Sequence, residues 1–160
     1  MATVTVATKG WRHIVGKVFV AVTIENQADV TLARAGFRDQ ATVRRADINE
    51  MLVDTGASHL FLSLDMIESL GLLEARVVAV ETAAGPQTAR VFEGARVTIT
   101  AAGGETRTGT YEAIALPGGS EPLLGLTVME GLGVTPDVVS HRLTFLPEQG
   151  RGTHITAYRA

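Results

Sequence analysis

One segment, residues 51–58, constrains the fold of this 160-residue chain more than any other. Met51, Leu52 and Val53 form a short apolar run that is typical of a buried β-strand, and turn-forming residues end it directly. Asp54 therefore follows a buried strand end, where it has little free access to water. A lone carboxylate is costly there unless hydrogen-bond donors or a second carboxyl group stabilise it.

The residues after Asp54 suit a sharp loop. Thr55 is β-branched, so its side chain is stiff and its hydroxyl is well placed to bond to the backbone. Gly56 lets the chain turn and leaves its N–H close to the carboxylate, and Ala57 adds only a methyl group. Taken alone, Asp-Thr-Gly fits an ordinary capped turn equally well, and both interpretations stay open at this point.

A hydrolytic use of this carboxylate requires a second one. Without a metal or a protein nucleophile, one group must activate water and another must protonate the leaving nitrogen, and two carboxyls that share a proton supply both. Charges about 4 Å apart repel by about 4 kcal/mol at an effective dielectric near 20, so one of the two keeps its proton. The chain has one Asp-Thr-Gly, and Thr-Gly follows none of the other aspartates, which are Asp29, Asp39, Asp47, Asp65 and Asp137. The second carboxylate must come from a second copy, which implies a symmetric homodimer.

A second signature lies downstream at Leu123, Leu124 and Gly125. The residues after it predict a short helix over 126–133 that ends at Gly133. A similar pattern follows Asp-Thr-Gly at residues 66–72. That segment and residues 128–134 both end in Leu-Gly-aliphatic. This echo indicates an internal repeat of strand, loop and helix.

In this order and spacing, the two signatures resemble those of the retropepsin-like (clan AA) aspartic proteases, most closely the bacterial single-domain type. The resemblance covers about residues 15–147. It implies a mostly-β, single-domain retropepsin-like acid-protease barrel with one or two short helices, which works as a homodimer. It also implies an aspartic endopeptidase that cleaves a peptide or protein substrate and needs no metal or organic cofactor.

The same resemblance assigns expected roles to individual residues. Asp54 would be catalytic, and Thr55, Gly56 and Ala57 would support the active-site loop, with Thr55 acting across the dimer. The hydrophobic-hydrophobic-Gly motif, Leu123-Leu124-Gly125, would thread beside that loop.

A β-hairpin is predicted between the two signatures. Residues 76–82 form an apolar strand, Ala83-Ala84-Gly85-Pro86 a turn, and residues 87–91 the returning strand. In the family that the chain resembles, a hairpin at this position closes over the substrate as a flap, so these four turn residues are the flap candidate. An ordinary hairpin without such a role is an equally good interpretation. A second hairpin is predicted over 95–116.

The remaining organisation is that of a single domain over residues 1–160, with a core at about 15–147 and terminal extensions at 1–10 and 148–160. Residues 26–39 are predicted to be a polar connection with at most a short helical turn, and residues 41–53 the strand that enters the Asp54 loop. Two strand pieces are predicted over 138–146 with a turn near Ser140, and possible outer strands at 3–8 and 154–158.

Composition excludes several other classes. The net charge is −3 without a sustained basic stretch, so no nucleic-acid partner is expected. There is no cysteine, the four histidines lack metal-ligand spacing, and no phosphate-binding glycine loop is present. No apolar run approaches the roughly 20 residues of a membrane helix and no signal segment is evident, so we expect no membrane association and a cytoplasmic location.

Two alternatives to an enzyme remain at this stage. One is a catalytically silent dimeric peptide-binding or scaffold module on the same fold, because a fold does not guarantee activity. The other is a monomeric β-barrel in which Asp54 only caps a turn. The intact Asp-Thr-Gly favours the enzyme, since a scaffold does not require a carboxylate at a buried strand end.

Overall fold

The computed structural model describes residues 4–6, 16–115 and 121–147. The predicted strand at 154–158 lies outside these stretches. Within them the chain forms β1 (Val4–Val6), β2 (Val18–Asn26), α1 (Gln27–Arg34), a 3-10 helix (Gln40–Thr42), β3 (Arg45–Val53), β4 (Leu60–Phe61), α2 (Leu64–Leu70), β5 (Leu73–Thr82), β6 (Gly85–Thr100), β7 (Thr106–Ala115), β8 (Leu123–Leu124), α3 (Leu126–Leu132), β9 (Val134–Asp137) and β10 (Arg142–Phe145).

The main sheet curls into a barrel. Its strands follow the order β1-β3-β2-β6-β7-β4-β8, and β5 pairs with β6 outside this path. The short strand β8 pairs with β4 on one side and with β3 on the other, so the sheet from β3 to β8 closes on itself. Closure joins the two ends of the strand path from β3 to β8, which an open sheet would leave unpaired. The prediction of a mostly-β fold is confirmed.

Alternating burial along the strands builds the core. In β2 the side chains of Val18, Val22 and Ile24 point inward, because successive residues of a strand face opposite sides of the sheet. Ile67 of α2 and Val128 of α3 are fully buried in the same cluster, so both helices pack against the barrel. The strands therefore hold the two loops that precede these helices in fixed positions.

The connection over residues 26–39 differs from the prediction, because it contains the eight-residue helix α1. The fold thus has three α-helices where one or two were expected. Asn26 caps the helix by accepting a hydrogen bond from the N–H of Asp29 at 3.1 Å. Only Asp29 and Val30 of this helix are buried, so the sequence carries no apolar stripe from which the helix could have been predicted.

Two strand boundaries also differ from the prediction. Strand β3 begins at Arg45 and not at residue 41, because the side chain of Asp39 caps the intervening 3-10 helix. The hairpin predicted over 138–146 begins earlier, with β9, and Val138 and Val139 lie in its turn. Asp137 fixes that turn by accepting from the N–H of Val139 at 2.9 Å, which overrides the strand propensity of the two valines.

A buried carboxylate ties α1 to the start of β3. The side chain of Asp29 is 2% exposed and accepts from the backbone N–H, Nε and Nη2 of Arg44 at 3.0, 2.7 and 2.8 Å. Arg38 Nη1 donates to the same group at 2.6 Å. The hydrogen bonds from Arg44 hold the pKa of Asp29 below its usual range.

Replacing Asp29 by asparagine is expected to lower the free energy of unfolding at pH 7 by about 2–3 kcal/mol, because the charged hydrogen bonds are lost. The pKa of Asp29 is lower in the folded chain than in the unfolded chain. Its contribution to stability is therefore present above about pH 4 and is lost as the pH falls through the lower folded value. Urea unfolding between pH 7 and pH 2 measures both effects. The exposed Asp65→Asn variant is the control, and equal stability of the two variants would contradict the prediction.

Candidate active site

Asp54 lies where β3 leaves the closed part of the barrel. Its backbone N–H donates to the carbonyl oxygen of Leu124 at 3.0 Å, which continues the parallel pairing of β3 with β8. Its side chain is partly exposed in the single chain, so the expected lack of access to water is wrong for one isolated copy. The carboxylate stands at the edge of the barrel with one side open.

The loop after Asp54 fixes the orientation of the carboxylate. Oδ1 accepts from the N–H of Gly56 at 2.8 Å, and the backbone carbonyl of Asp54 accepts from the N–H of Ala57 at 3.2 Å. A Cβ at position 56 would lie 3.1 Å from Oδ1, so a larger residue there would press on the carboxylate. Thr55 is exposed, and in the part of the chain that the structure describes its hydroxyl makes no hydrogen bond, contrary to the expected bond to the backbone.

The Leu123-Leu124-Gly125 segment passes directly beside this loop. Leu124 is fully buried between β3 and β4, and a Cβ at Gly125 would collide with the carbonyl oxygen of His59 and lie 2.6 Å from that of Ala57. Only glycine fits where two backbones approach so closely. The two signatures, which are far apart in the sequence, therefore form one interlocked unit.

Hydrogen bonds close the contact between the two segments. The N–H groups of Leu126 and Thr127 donate to the carbonyl oxygens of Ala57 and Ser58, both at 2.9 Å, and the hydroxyl of Thr127 donates to Ser58 at 2.6 Å. The first turn of α3 thus satisfies carbonyl groups of the Asp54 loop. Strong backbone pairing of this kind leaves the loop little freedom to move.

The echo between the two signatures is confirmed as a structural repeat. Each is followed by a seven-residue helix, α2 after the first and α3 after the second. Both helices end in a left-handed glycine, Gly71 with φ 62° and Gly133 with φ 64°. The helix starts differ, because the hydroxyl of Ser63 caps α2 and no side chain caps α3.

The predicted hairpin is present as β5 and β6, with a tighter turn than expected. Ala83 and Ala84 form the turn, whereas Gly85 and Pro86 belong to β6 and pair with Thr82 and Glu81. Gly85 adopts φ 102°, which lets the strand begin directly after the turn. Strand β6 continues through Thr100, so it serves this hairpin and the next one.

A cavity of about 380 Å³ lies between the inner face of this hairpin and the loop after Asp54. Its apolar part is formed by side chains that cluster together: Phe61, Val78, Val80, Val91 and Ile114. Ser58 and His59 line it on the side of the Asp54 loop. None of the four flap-candidate residues, Ala83, Ala84, Gly85 and Pro86, lines this cavity.

Charged side chains border the same cavity. Arg76 of β5 forms a two-pronged ion pair with Glu112 of β7, with Nη2 at 2.8 Å from Oε2. The pair holds the pKa of Glu112 below its usual range, chiefly through the hydrogen bonds from Arg76. His59 Nδ1 lies 2.7 Å from the Ser58 hydroxyl. Sequence reasoning did not select Arg76 or Glu112, because only the pairing of β5 and β7 through β6 brings them together.

Comparison with known proteins agrees with this geometry. An aspartyl protease family model matches residues 40–128, a span that contains both signatures and the hairpin between them. Because the match covers more than half of the chain, the chain belongs to the aspartyl protease family, in the retropepsin-like clan. No curated protein matches it.

Within the described stretches, no helix combines the length and apolar character needed to cross a membrane. Among the same residues, no cluster of three or more His, Asp or Glu side chains is arranged to hold a metal ion.

Proposed function

We propose that this chain is an endopeptidase that works as a twofold homodimer and hydrolyses peptide bonds with water activated between two Asp54 carboxylates. The observation that carries the proposal is the placement of a single oriented carboxylate at the open edge of the barrel, locked in position by the Leu123-Leu124-Gly125 segment. One copy supplies half of a two-carboxylate site.

The proposed chemistry uses the two carboxyl groups in complementary roles. The charged carboxylate removes a proton from water, which attacks the carbonyl carbon of the substrate. The protonated carboxyl donates a hydrogen bond to the developing oxyanion. The proton taken from water then passes from the first carboxyl to the leaving nitrogen as the C–N bond breaks. The hydrogen bond from Gly56 fixes one oxygen of Asp54. The carboxylate therefore needs little reorientation when the carboxyl group of the second copy comes to lie beside it.

The substrate is proposed to lie extended between the Asp54 loop and the β5–β6 hairpin. An extended peptide can bind there through main-chain hydrogen bonds, and the cavity beside Ser58 would receive one of its side chains. Phe61, Val91 and Ile114 make the floor of that cavity apolar. A large aliphatic or aromatic side chain is therefore the expected occupant.

Cleavage of a random peptide library tests the proposal directly. We expect cleavage products without added metal, and an activity per chain that falls on dilution once the dimer dissociates, because a monomer holds half a site. Mass by sedimentation should fall over the same concentration range. A dimer that binds peptides without cleaving any would support the silent binding module instead, and a fully active monomer would refute the shared site.

The β5–β6 turn is proposed to act as a flap over the bound peptide. Ala83 and Ala84 are exposed and carry small side chains, so the turn can move and approach a ligand closely. Hydrogen exchange at residues 82–87 is expected to slow when a peptide-like inhibitor binds, whereas the β6–β7 turn at 101–104 serves as the internal control. Unchanged exchange at 82–87 would argue against a flap.

A further inference from the structure

Exposed apolar side chains collect at the end of the barrel where Asp54 lies. Four of them lie on α3 or on the β9–β10 hairpin and its ends. They are Leu126 (40% exposed), Val138 (52%), Val139 (88%) and Leu146 (45%). We call these four residues the hairpin surface. The other large exposed apolar side chains among the described residues lie on different elements: Leu32 and Phe37 on and just after α1, and Leu73 and Val77 on β5.

A groove of about 470 Å³ connects the hairpin surface to the active-site loop. Thr55, the residue next to Asp54, belongs to its lining. The other lining residues come from α3, from β9 and from the residue after β10, and they are Leu126, Met129, Glu130, Gly133, Val134, Thr135, Pro136 and Leu146. Its walls are thus largely apolar although they are open to water in the single chain. An apolar groove of this size that reaches the residue next to the catalytic candidate is an unusual feature for a surface without a partner.

The hairpin itself is an isolated piece of sheet. Strands β9 and β10 pair with each other and, within the described residues, with no other strand. Two-stranded sheets are marginally stable alone. Here Arg107 holds the hairpin against the barrel, since Nη1 donates to Gly133 at 2.6 Å and the guanidinium lies 4.8 Å from the ring centre of Phe145.

The turn of the hairpin is fixed on the same side as Asp54. His141 Nδ1 lies 2.9 Å from the carbonyl oxygen of Lys17. Val18, which follows Lys17, pairs with Val53, the residue immediately before Asp54. The exposed Val138 and Val139 are therefore presented in a fixed position near the active-site loop. A surface held rigid in advance loses little entropy when it becomes buried.

We infer that the hairpin surface and the groove beside Thr55 form the interface with a second copy of this chain. The inference rests on the proposed function, because a two-carboxylate site requires the Asp54 loops of two chains to face each other. Such an approach brings together whatever lies next to these loops, and the groove is continuous with Thr55. In a twofold contact the same apolar surface is contributed by both chains, so each hairpin surface is covered by the other chain.

Val139→Asp tests the interface in the full-length protein. Val139 is 88% exposed in the single chain, so the change leaves the monomer fold intact, but it places two charges in the twofold contact. We expect the dissociation constant of the dimer, measured by sedimentation, to rise at least about tenfold, and activity to return at high protein concentration. Phe37→Asp, at a similarly exposed apolar residue just after α1, should leave dimerisation unchanged.

Spin labelling gives a second readout that does not depend on disrupting the contact. The sequence contains no cysteine, so a single introduced cysteine reports one position. Labels at Val139→Cys should give a short distance between the two chains of the dimer, and labels at Phe37→Cys a much longer one.

The outcomes separate this inference from the proposed function. An active wild-type dimer whose affinity is unaffected by Val139→Asp, with long distances between the labels at position 139, would overturn the interface and leave the peptidase in place. A dimer weakened by Val139→Asp in a protein that cleaves no peptide would support the interface and refute the peptidase. A wild-type protein that stays monomeric at every concentration would overturn both.

Discussion

Replacing Asp54 by asparagine is expected to lower kcat/KM for peptide cleavage by at least about a thousandfold, because asparagine keeps the size of aspartate but can neither remove a proton from water nor donate one as an acid. The fold and the dimer should persist. The side-chain oxygen of asparagine can still accept the hydrogen bond from Gly56 that orients Asp54 Oδ1. Kinetics and a sedimentation mass on the same preparation measure both expectations.

Two controls make this result specific. Asp65→Asn changes the charge equally at an exposed residue of α2 and should retain full activity. Mixing equal amounts of wild type and Asp54→Asn should reduce activity per wild-type chain to about half after subunit exchange. Random pairing places about half of the wild-type chains in mixed dimers, which have only one intact carboxylate and should be inactive. Activity that persists in Asp54→Asn, or that is unaffected by mixing, would refute the proposed two-carboxylate site shared by two chains.

Replacing Gly125 by alanine is expected to lower the free energy of unfolding by about 3 kcal/mol or more and to abolish activity. The added Cβ meets the backbone of Ala57 and His59, which cannot move aside like the end of a flexible side chain. Relieving the collision must separate α3 from the Asp54 loop and break the hydrogen bond from Leu126 to Ala57. Denaturant unfolding and peptide cleavage measure the two effects.

Gly103→Ala is the matched control for Gly125→Ala. Gly103 lies in the β6–β7 turn, its φ is not in the left-handed region, and a Cβ there meets nothing within 4 Å. The free energy of unfolding of Gly103→Ala should stay within about 0.5 kcal/mol of that of wild type. If Gly125→Ala were as stable and as active as Gly103→Ala, the close approach of the two segments would not hold in solution.

The sequence predicts most of the barrel because its strands alternate or run apolar between clear turn signals. The helix ends at Gly71 and Gly133 were predictable for the same local reason, since glycine supplies the left-handed residue that stops a helix. Helix α1 could not be predicted in this way. Its buried face consists of Asp29 and Val30, and the partners that make Asp29 tolerable, Arg38 and Arg44, become neighbours only after folding.

The candidate site likewise contains residues that the sequence predicts and contacts that it does not. Asp54 and Leu123-Leu124-Gly125 carry local patterns that identify them, whereas their mutual contact depends on the pairing of β8 with β3. Arg76 and Glu112 illustrate what sequence reasoning misses. Neither belongs to a motif, and the cavity they border exists because β6 places β5 and β7 on the same curved sheet.

The position of β8 has a consequence for how the protein is made. The Asp54 loop obtains its last backbone partners from residues about 70 positions downstream, as the pairing of Leu52 with Leu123 shows. Contacts so distant in sequence form late, because the chain between them must first be ordered. While Gly125 of a nascent chain has not yet emerged from the ribosome, the loop that carries Asp54 therefore lacks these backbone partners. The order of synthesis thus delays assembly of the site until nearly the whole barrel is available.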